Sequence, residues 1–185
     1  MQAAEIYRRA SADFAARVHL AEGRWGAPTP CPEWDTRALV NHLVNEERWT
    51  PPLLGGATIE EVGDRFDGDL LGADPIATFD EAAAAALAAV EAVDPEQPVH
   101  LSFGDRPARE YVTQLAADHL VHAWDLARAL GEDEKLDVGA VDAVLAWFGP
   151  TQGLYREIGV IGPETPLGAD ASAQDRLLAM FGRTP

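Results

Sequence analysis

The sequence predicts an all-α protein, an up-and-down helical bundle formed by one domain over residues 1–185. Apolar residues recur almost everywhere with the 3.6-residue period of a helix, and only one short segment alternates as a strand does. Apolar residues make up 47% of the chain and charged residues 24%, which is typical of a globular domain with a sizeable core.

Proline and glycine clusters mark where the predicted helices begin and end. The helices are expected at about residues 2–21, 35–49, 77–93, 108–130 and 138–148, with a last short helix in AQDRLLAMFG. The loop WGAPTPCPEW is extended because each proline biases its predecessor away from the helical conformation. Asp35 is a favoured N-cap residue, and Pro51-Pro52 and Gly55-Gly56 are expected to end the second helix.

The remaining segments are expected to be connections. Residues 57–75 are rich in glycine and aspartate, and IGPETPLGAD near the C-terminus also has a loop composition. VHLSF alternates apolar and polar residues before the turn signal Gly104-Asp105, which predicts a short strand or an extended segment near 98–103. Gly131 is a natural residue to terminate the fourth helix.

Charge and composition narrow the classes of partner. The formal net charge of -17 argues against nucleic acid and against anionic membrane surfaces, since both require Lys and Arg. No apolar run approaches the roughly 20 residues of a membrane span, and the charged N-terminal segment is unlike a signal peptide. We therefore expect a cytoplasmic monomer or homodimer whose partner is a small-molecule substrate or a thiol.

The stretch DHLVHAWDLARAL in the fourth helix concentrates polar residues on an apolar face. At roughly 100° per residue, Asp118, His119 and His122 share a face with Leu115 and Leu126. A buried carboxylate is costly unless it is paired or bound to a metal. One interpretation is an Asp118–His122 pair that is buried for structure alone.

A metal site is the other interpretation, because the second helix turns His42 toward the interior, with Glu46 one turn later. An imidazole from one helix and an Asp/His pair from another would make a three-ligand site with open coordination positions. Nitrogen and oxygen donors suit Zn²⁺, Fe²⁺, Mn²⁺ or Ni²⁺.

Other candidate residues receive less specific predictions. His119 is expected in the core, although it could lie beside the metal ligands. Asp125 either orients a ligand imidazole by a hydrogen bond or is solvated. Cys31, the single cysteine, allows no intramolecular disulfide and no Cys-rich zinc site, and is expected to be inert rather than reactive. His19 and His100 are expected to be surface residues. Trp34 and Trp124 are expected to be packing residues.

Three motifs, TPCPEWDTRALVNHLV, DHLVHAWDLARALG and GPETPLGADASAQDRLLAMFGR, together resemble one family over almost the whole chain. It is the family of DinB-like metal-binding proteins related to the N-terminal domain of mycothiol-dependent maleylpyruvate isomerase. The resemblance implies a DinB-like four-helix bundle, with one or two additional short helices, around a divalent metal. Zinc is the expected ion. The ligands that the resemblance implies are His42, Asp118 and His122.

The chain departs from the isomerase in two respects. The isomerase typically has glutamate where this sequence has Asp118, and it carries a second domain of the sterol-carrier type, which we do not expect in this protein. Maleylpyruvate isomerisation is therefore not implied, whereas metal-dependent and thiol-dependent chemistry, with mycothiol as the thiol, is. The hypothesis is a metal-dependent transferase or isomerase acting on an electrophilic substrate, with Glu46 as the candidate general base.

Two alternatives stay open. The first is a non-catalytic metal- or ligand-binding protein, which a closed site with Glu46 or His119 as fourth ligand would favour. The second has no metal, only a buried Asp118–His122 pair.

Overall fold

A computed structural model describes residues 1–157, 161 and 163–185, and their architecture is mostly helical, as predicted. The helices are α1 (Ala3–Val18), α2 (Thr36–Leu54), α3 (Ile59–Val62), α4 (Pro75–Ala92), α5 (Ala108–Leu130), α6 (Val138–Phe148), α7 (Gln152–Glu157) and α8 (Ala173–Met180). Two short strands, β1 (Pro98–Leu101) and β2 (Gly104–Pro107), precede α5. In this part of the chain, no helix is both long enough and apolar enough for a bilayer crossing.

Four long helices form the core of the bundle. α1 packs along α5, α5 also contacts α2, α2 packs on α4, and α4 returns to α1. The alanine-rich α4 buries Phe79, Ala82, Ala86 and Val90 against its neighbours, and its small side chains allow the helices to approach closely. α6 and α8 pack against each other, and α6 also covers α1 and α5. The all-α DinB-like fold expected from the sequence is confirmed.

Helix α5 lies at the centre of this arrangement and is buried around its circumference. Its boundaries agree with the prediction, and it ends at Gly131, whose backbone is left-handed with φ 66° and ψ 32°. Trp124 is 2% exposed and packs in the core, as expected. Since α5 has neighbours on several sides, its buried polar residues, His119, His122 and Asp125 among them, face another helix or a cavity and not bulk water.

The second helix is longer than predicted, because Pro51 and Pro52 lie inside its last turn. Proline lacks an N–H, so each of these residues leaves one carbonyl of the preceding turn without its helical donor, but each keeps a carbonyl that can accept from the residues that follow. The Pro51 carbonyl accepts from the N–H of Gly55 at 2.9 Å, and the Pro52 carbonyl accepts from that of Ala57 at 3.0 Å. The helix therefore continues through the first of the two predicted stop signals and ends at the second, Gly55.

Two short helices were not expected. α3 interrupts the predicted loop 57–75, and a capping box between Thr58 and Glu61 stabilises its first turn. α7 follows α6 after a short turn. The loop predicted at 161–170 is free of helix and strand where it is described, and Gly162 lies outside the described residues.

The segment near 98–103 forms the first half of an antiparallel hairpin, in register Pro98 with Pro107 and Leu101 with Gly104. Gly104 takes φ 106° in the turn, which favours glycine. The strand prediction is therefore correct. What the sequence did not indicate is the partner strand, GDRP, which leads directly into α5.

Candidate metal centre

Three predicted ligands meet where α2 and α5 face each other. The Nε2 atom of His42 lies 3.0 Å from Oδ2 of Asp118, and Nε2 of His122 lies 3.5 Å from Oδ1 of the same carboxylate. Asp118 and His122 are one turn apart on α5, so they present their polar atoms side by side. The structure thus brings together all three residues.

These donor atoms have the spacing that a divalent ion requires. One ligand atom from each residue lies within 4.8 Å of the other two. Two ligands of a tetrahedral zinc at about 2.0–2.2 Å from the ion lie about 3.4 Å from each other. Two imidazole nitrogens and a carboxylate are also a donor set that zinc accepts. The residues present therefore fit the group that the family resemblance implies.

Attraction between the Asp118 carboxylate and the neighbouring imidazoles determines the protonation states of these residues. Burial by itself would raise the pKa of Asp118, but the imidazoles of His122 and His42 hold this pKa well below its usual range. Burial by itself would lower the pKa of His122, but Asp118 and Asp125 raise it well above the usual range. Without a metal, the charges therefore balance as an ionised carboxylate and an imidazolium.

Asp125 orients the ring of His122 from the opposite side. Its carboxylate is fully buried and accepts a hydrogen bond from Nδ1 of His122 at 2.9 Å. Burial opposes ionisation, but hydrogen bonds from His122 and Arg183 lower the pKa of Asp125, so its carboxylate can only accept. Nδ1 must then carry a proton, which leaves Nε2 as the nitrogen that can ligate a metal. Of the two predictions for Asp125, the orienting contact is therefore present and solvation is not.

Arg183, which lies beyond the last helix, holds Asp125 in turn. Its guanidinium grips the carboxylate with two hydrogen bonds, from Nε to Oδ1 at 3.1 Å and from Nη2 to Oδ2 at 2.6 Å. Such a two-bond fork fixes both the position and the plane of a carboxylate. Arg183 thereby fixes, through Asp125, the orientation of the His122 ring.

Trp34 covers both imidazoles and so does more than pack. Its ring centroid lies 4.8 Å from that of His42 and 5.6 Å from that of His122. The loop that carries Trp34 is closed by a β-bridge between Pro28 and Asp35 and by a hydrogen bond from the Thr29 hydroxyl to the Trp34 carbonyl at 2.7 Å. The proline-rich loop predicted to be extended is therefore a rigid wall of the site.

A cavity of about 540 Å³ opens beside the three residues. This volume is in the range of small-molecule sites. Besides the three candidate ligands, its wall is largely aromatic and apolar, with Trp34, Tyr111, Val121, Trp147, Phe148 and Tyr155 among the lining residues. A ligand in this space would be shielded from water on several sides while it touches the candidate metal position.

Glu46 also lines the cavity, one turn along α2 from His42. Burial raises the pKa of its carboxyl group, and the negative charge of Asp118 raises it further. Within the described residues, the Glu46 carboxylate makes no hydrogen bond. A carboxyl group that faces a cavity with a raised pKa is suited to exchange a proton with a bound molecule.

The remaining histidines lie elsewhere. His119 is in the core as predicted, 1% exposed, with its Nε2 3.1 Å from Oε1 of Glu47; its contacts turn it away from the candidate metal position. His19 and His100 are at the surface as expected, where they contact Asp80 and Asp105 respectively.

Sequence reasoning missed two charged residues that matter here, Arg183 and Glu47. Glu47 comes directly after Glu46, yet α2 directs it into the core toward His119. Its position four residues after Leu43, on the apolar stripe of α2, was an available signal. Arg183 is 58 residues from Asp125 in the chain, and no local pattern reveals a contact over that distance.

Comparison with known proteins finds a matching family model. The family model of the mycothiol maleylpyruvate isomerase N-terminal domain matches residues 7–127, a range that contains all three candidate ligands. Similar proteins include the uncharacterized proteins MT0763 and Rv0738 of Mycobacterium tuberculosis, from strains CDC 1551 and H37Rv. Each is 31% identical to this chain over 190 residues, which cover 96% of the chain and 96% of the relative. No solved structure matches the chain significantly.

Proposed function

Because the chain belongs to the mycothiol maleylpyruvate isomerase N-terminal domain family, we propose that it is a metal-dependent enzyme acting on a small molecule. The reaction proposed is the transfer of a low-molecular-weight thiol, or an isomerisation that uses one, with an electrophilic substrate. The observation that carries the proposal is the position of His42, Asp118 and His122 on the wall of a cavity of about 540 Å³.

The open geometry favours catalysis over a purely structural ion. Structural zinc sites are closed by four protein ligands, whereas catalytic sites keep a position for water or substrate. Here three residues converge, and His119, one of the two candidates for a fourth ligand, is bound to Glu47 in the core. The open side of the cluster faces the cavity, where a substrate can reach it.

The contacts of the cavity residues indicate a separate role for each in the proposed reaction. A divalent ion held by the three residues, with zinc as the expected metal, would supply Lewis acidity and lower the pKa of a thiol or water beside it. Mycothiol is the thiol that the family name suggests. Trp34 and the other aromatic residues exclude water from the reacting atoms, and Glu46 accepts or returns the proton that the thiol loses.

Metal analysis of purified protein tests the ligand assignment. We expect about one divalent ion per chain in the wild type, and less than a tenth of that in His42→Ala and His122→Ala after dialysis, because two donors cannot hold an ion that three retain. His100→Ala is the matched control, because His100 pairs with Asp105 at the surface, and it should keep the wild-type content. Stoichiometric metal in His122→Ala would contradict the assignment.

A thiol-transfer assay tests the chemistry once metal is found. With mycothiol and an electrophile such as 1-chloro-2,4-dinitrobenzene, we expect turnover that needs both the thiol and the metal. Glu46→Gln should lower kcat by about 10²- to 10⁴-fold, the usual effect of losing a general acid–base group, with the metal content unchanged. Turnover that persists without thiol and metal would reject the mechanism. A metal-loaded protein without turnover on a panel of electrophiles would point to a non-catalytic binding protein.

A further inference from the structure

Among the residues that the structure describes, two overlapping triads of possible metal ligands share His122. The first is His42, Asp118 and His122. The second is Cys31, His122 and Asp125, whose ligand atoms also lie within 4.8 Å of one another. The first triad uses Nε2 of the shared imidazole, whereas Asp125 contacts Nδ1. One ring therefore separates two positions at which a cation would find three donors.

The second triad differs from the first because it already contains a cation. Nη2 of Arg183 lies 2.6 Å from Oδ2 of Asp125 and 3.2 Å from Sγ of Cys31. The thiol itself lies 3.4 Å from the same Oδ2 atom. The guanidinium thus occupies the side of the carboxylate and of the thiol on which a metal ion would have to bind.

The positive charge of the Arg183 guanidinium keeps a metal ion out of the second triad. Asp125 is fully buried, and a carboxylate shut away from water needs a partner for its charge. Arg183 provides one that is charged at every accessible pH. A divalent ion at the second triad would have to displace the Arg183 guanidinium from the carboxylate or lie directly beside it. Two cations in contact repel each other strongly where the surroundings exclude water.

We propose that Arg183 decides which nitrogen of His122 receives the metal, by filling the Cys31–His122–Asp125 triad with its own charge. Without Arg183, that triad becomes a second metal site whose thiol ligand favours thiophilic ions such as Zn²⁺, Co²⁺ or Cd²⁺. The inference rests on the proposed metal at the first triad. It gives Arg183 the role of a positioning residue, which acts on the ion through Asp125 and His122.

The sequence context agrees with a role for Arg183 that is separate from the ligands. The family match ends at residue 127, before α6 and well before Arg183. The segment that carries Arg183 is anchored by Phe181, whose ring stacks on Phe148 at 4.4 Å, and by a hydrogen bond from the Arg183 N–H to the Leu178 carbonyl at 2.9 Å. The guanidinium is therefore held in place by the fold.

Cobalt titration of the full chain tests the inference, since a cobalt–thiolate bond gives an intense charge-transfer band in the near ultraviolet. The wild type should take up one equivalent of Co²⁺ without this band. Arg183→Met should show the band, through either a second equivalent or a relocated first one. The double variant Arg183→Met/Cys31→Ser should lose the band again. A protein that merely loosens would not gain a thiolate ligand.

Two further variants separate charge from packing. Arg183→Lys keeps the cation without the two-bond fork and should keep the band absent. Arg128→Met is the matched control, because Arg128 lies over the Trp124 ring and contacts Thr184 rather than the triads, and its spectrum should match that of the wild type. Circular dichroism of each variant verifies folding. If Arg183→Met does not fold, Arg183→Gln, which is polar but uncharged, replaces it and should show the band.

The outcomes distinguish this inference from the proposed function. A thiolate band in the wild type or in Arg183→Lys overturns the role of Arg183, and so does its absence in folded Arg183→Met; a metal at the first triad survives each of these results. Cobalt uptake only in Arg183→Met, with the band, supports the role of Arg183 and removes the proposed function. No uptake by any variant overturns both.

Discussion

His122 illustrates how the role of a single residue depends on contacts that its sequence neighbours only partly reveal. The i, i+4 pair with Asp118 follows from helical spacing, and so does the possibility of Asp125 at i+3. His42 lies 76 residues from Asp118, and its convergence on the pair was inferred from two apolar stripes and from a family resemblance. Arg183 has no such pattern, because a side chain in an irregular segment carries no periodic signal.

Glu47 and His119 form a second buried pair whose energetics can be tested. Their side chains are 0% and 1% exposed, and Nδ1 of His119 donates to the Leu115 carbonyl at 2.8 Å. Burial raises the pKa of Glu47. Burial by itself would lower the pKa of His119, but the hydrogen bond and the charge of Glu47 raise it.

This pair makes the protein less stable as the pH rises. Both groups hold their protons more tightly in the folded chain than in the unfolded chain. The stability that each contributes is complete below its unfolded pKa, about 4.3 for Glu and about 6.5 for His. It is lost as the pH rises through the folded pKa. In Glu47→Gln, burial acts on His119 without an opposing charge, so His119 stays neutral and stability rises with pH up to about 6.5.

We therefore expect the free energy of unfolding of the wild type, minus that of Glu47→Gln, to decrease as the pH rises above about 4.3, the unfolded pKa of Glu, and to go on decreasing above about 6.5, that of His. Denaturant titrations at several pH values measure it, and groups elsewhere cancel in the difference. Glu47→Ala, which leaves His119 buried without its partner, should cost about 3–5 kcal/mol near neutral pH. If the difference in free energy of unfolding between wild type and Glu47→Gln is flat or increases with pH, the Glu47–His119 pair does not hold its protons more tightly in the folded chain.

At the scale of elements, local chemistry decides where helices stop. The end of α5 was predicted because a glycine stands at the boundary, Gly131, and α6 begins where the Asp137 side chain caps it. The end of α2 was misjudged because Pro51-Pro52 signal a break, although a last turn accepts them. α3 was missed although T-x-x-E at Thr58–Glu61 is a capping-box pattern, since the surrounding glycines and aspartates suggested a loop.

Substitutions at Gly131 measure how much the left-handed backbone at the end of α5 matters for the free energy of unfolding. Its φ of 66° is strained for residues with a side chain, and an added Cβ would meet no atom within 4 Å. Gly131→Ala should therefore cost about 1–2 kcal/mol from the backbone alone, and Gly131→Asn less, since asparagine tolerates this conformation.

Gly26→Ala is the control for this measurement, because Gly26 has equal space but no positive φ. Its change in free energy of unfolding should stay within about 0.5 kcal/mol. Equal costs at both positions would mean that the left-handed backbone of Gly131 is not what limits the substitution.

At the scale of the whole molecule, the fold class and the helix order were predictable, but the pairing of helices was not. Periodicity shows that α1, α2, α4 and α5 each have an apolar face, yet it does not show that α5 contacts both α1 and α2. That central placement is what directs Asp118 and His122 toward His42 while Glu47 meets His119 on the other side. The hairpin partner β2 escaped prediction because GDRP carries no apolar alternation.

The position of Trp34 over both imidazoles has an optical consequence. An imidazolium in contact with an indole ring quenches its fluorescence, and a cation that replaces the proton alters that quenching. Trp34 is the tryptophan whose ring contacts His42 and His122. A variant in which the other four tryptophans are replaced by phenylalanine would carry a built-in emission probe at the junction of the two helices, able to follow the occupancy of the centre in real time.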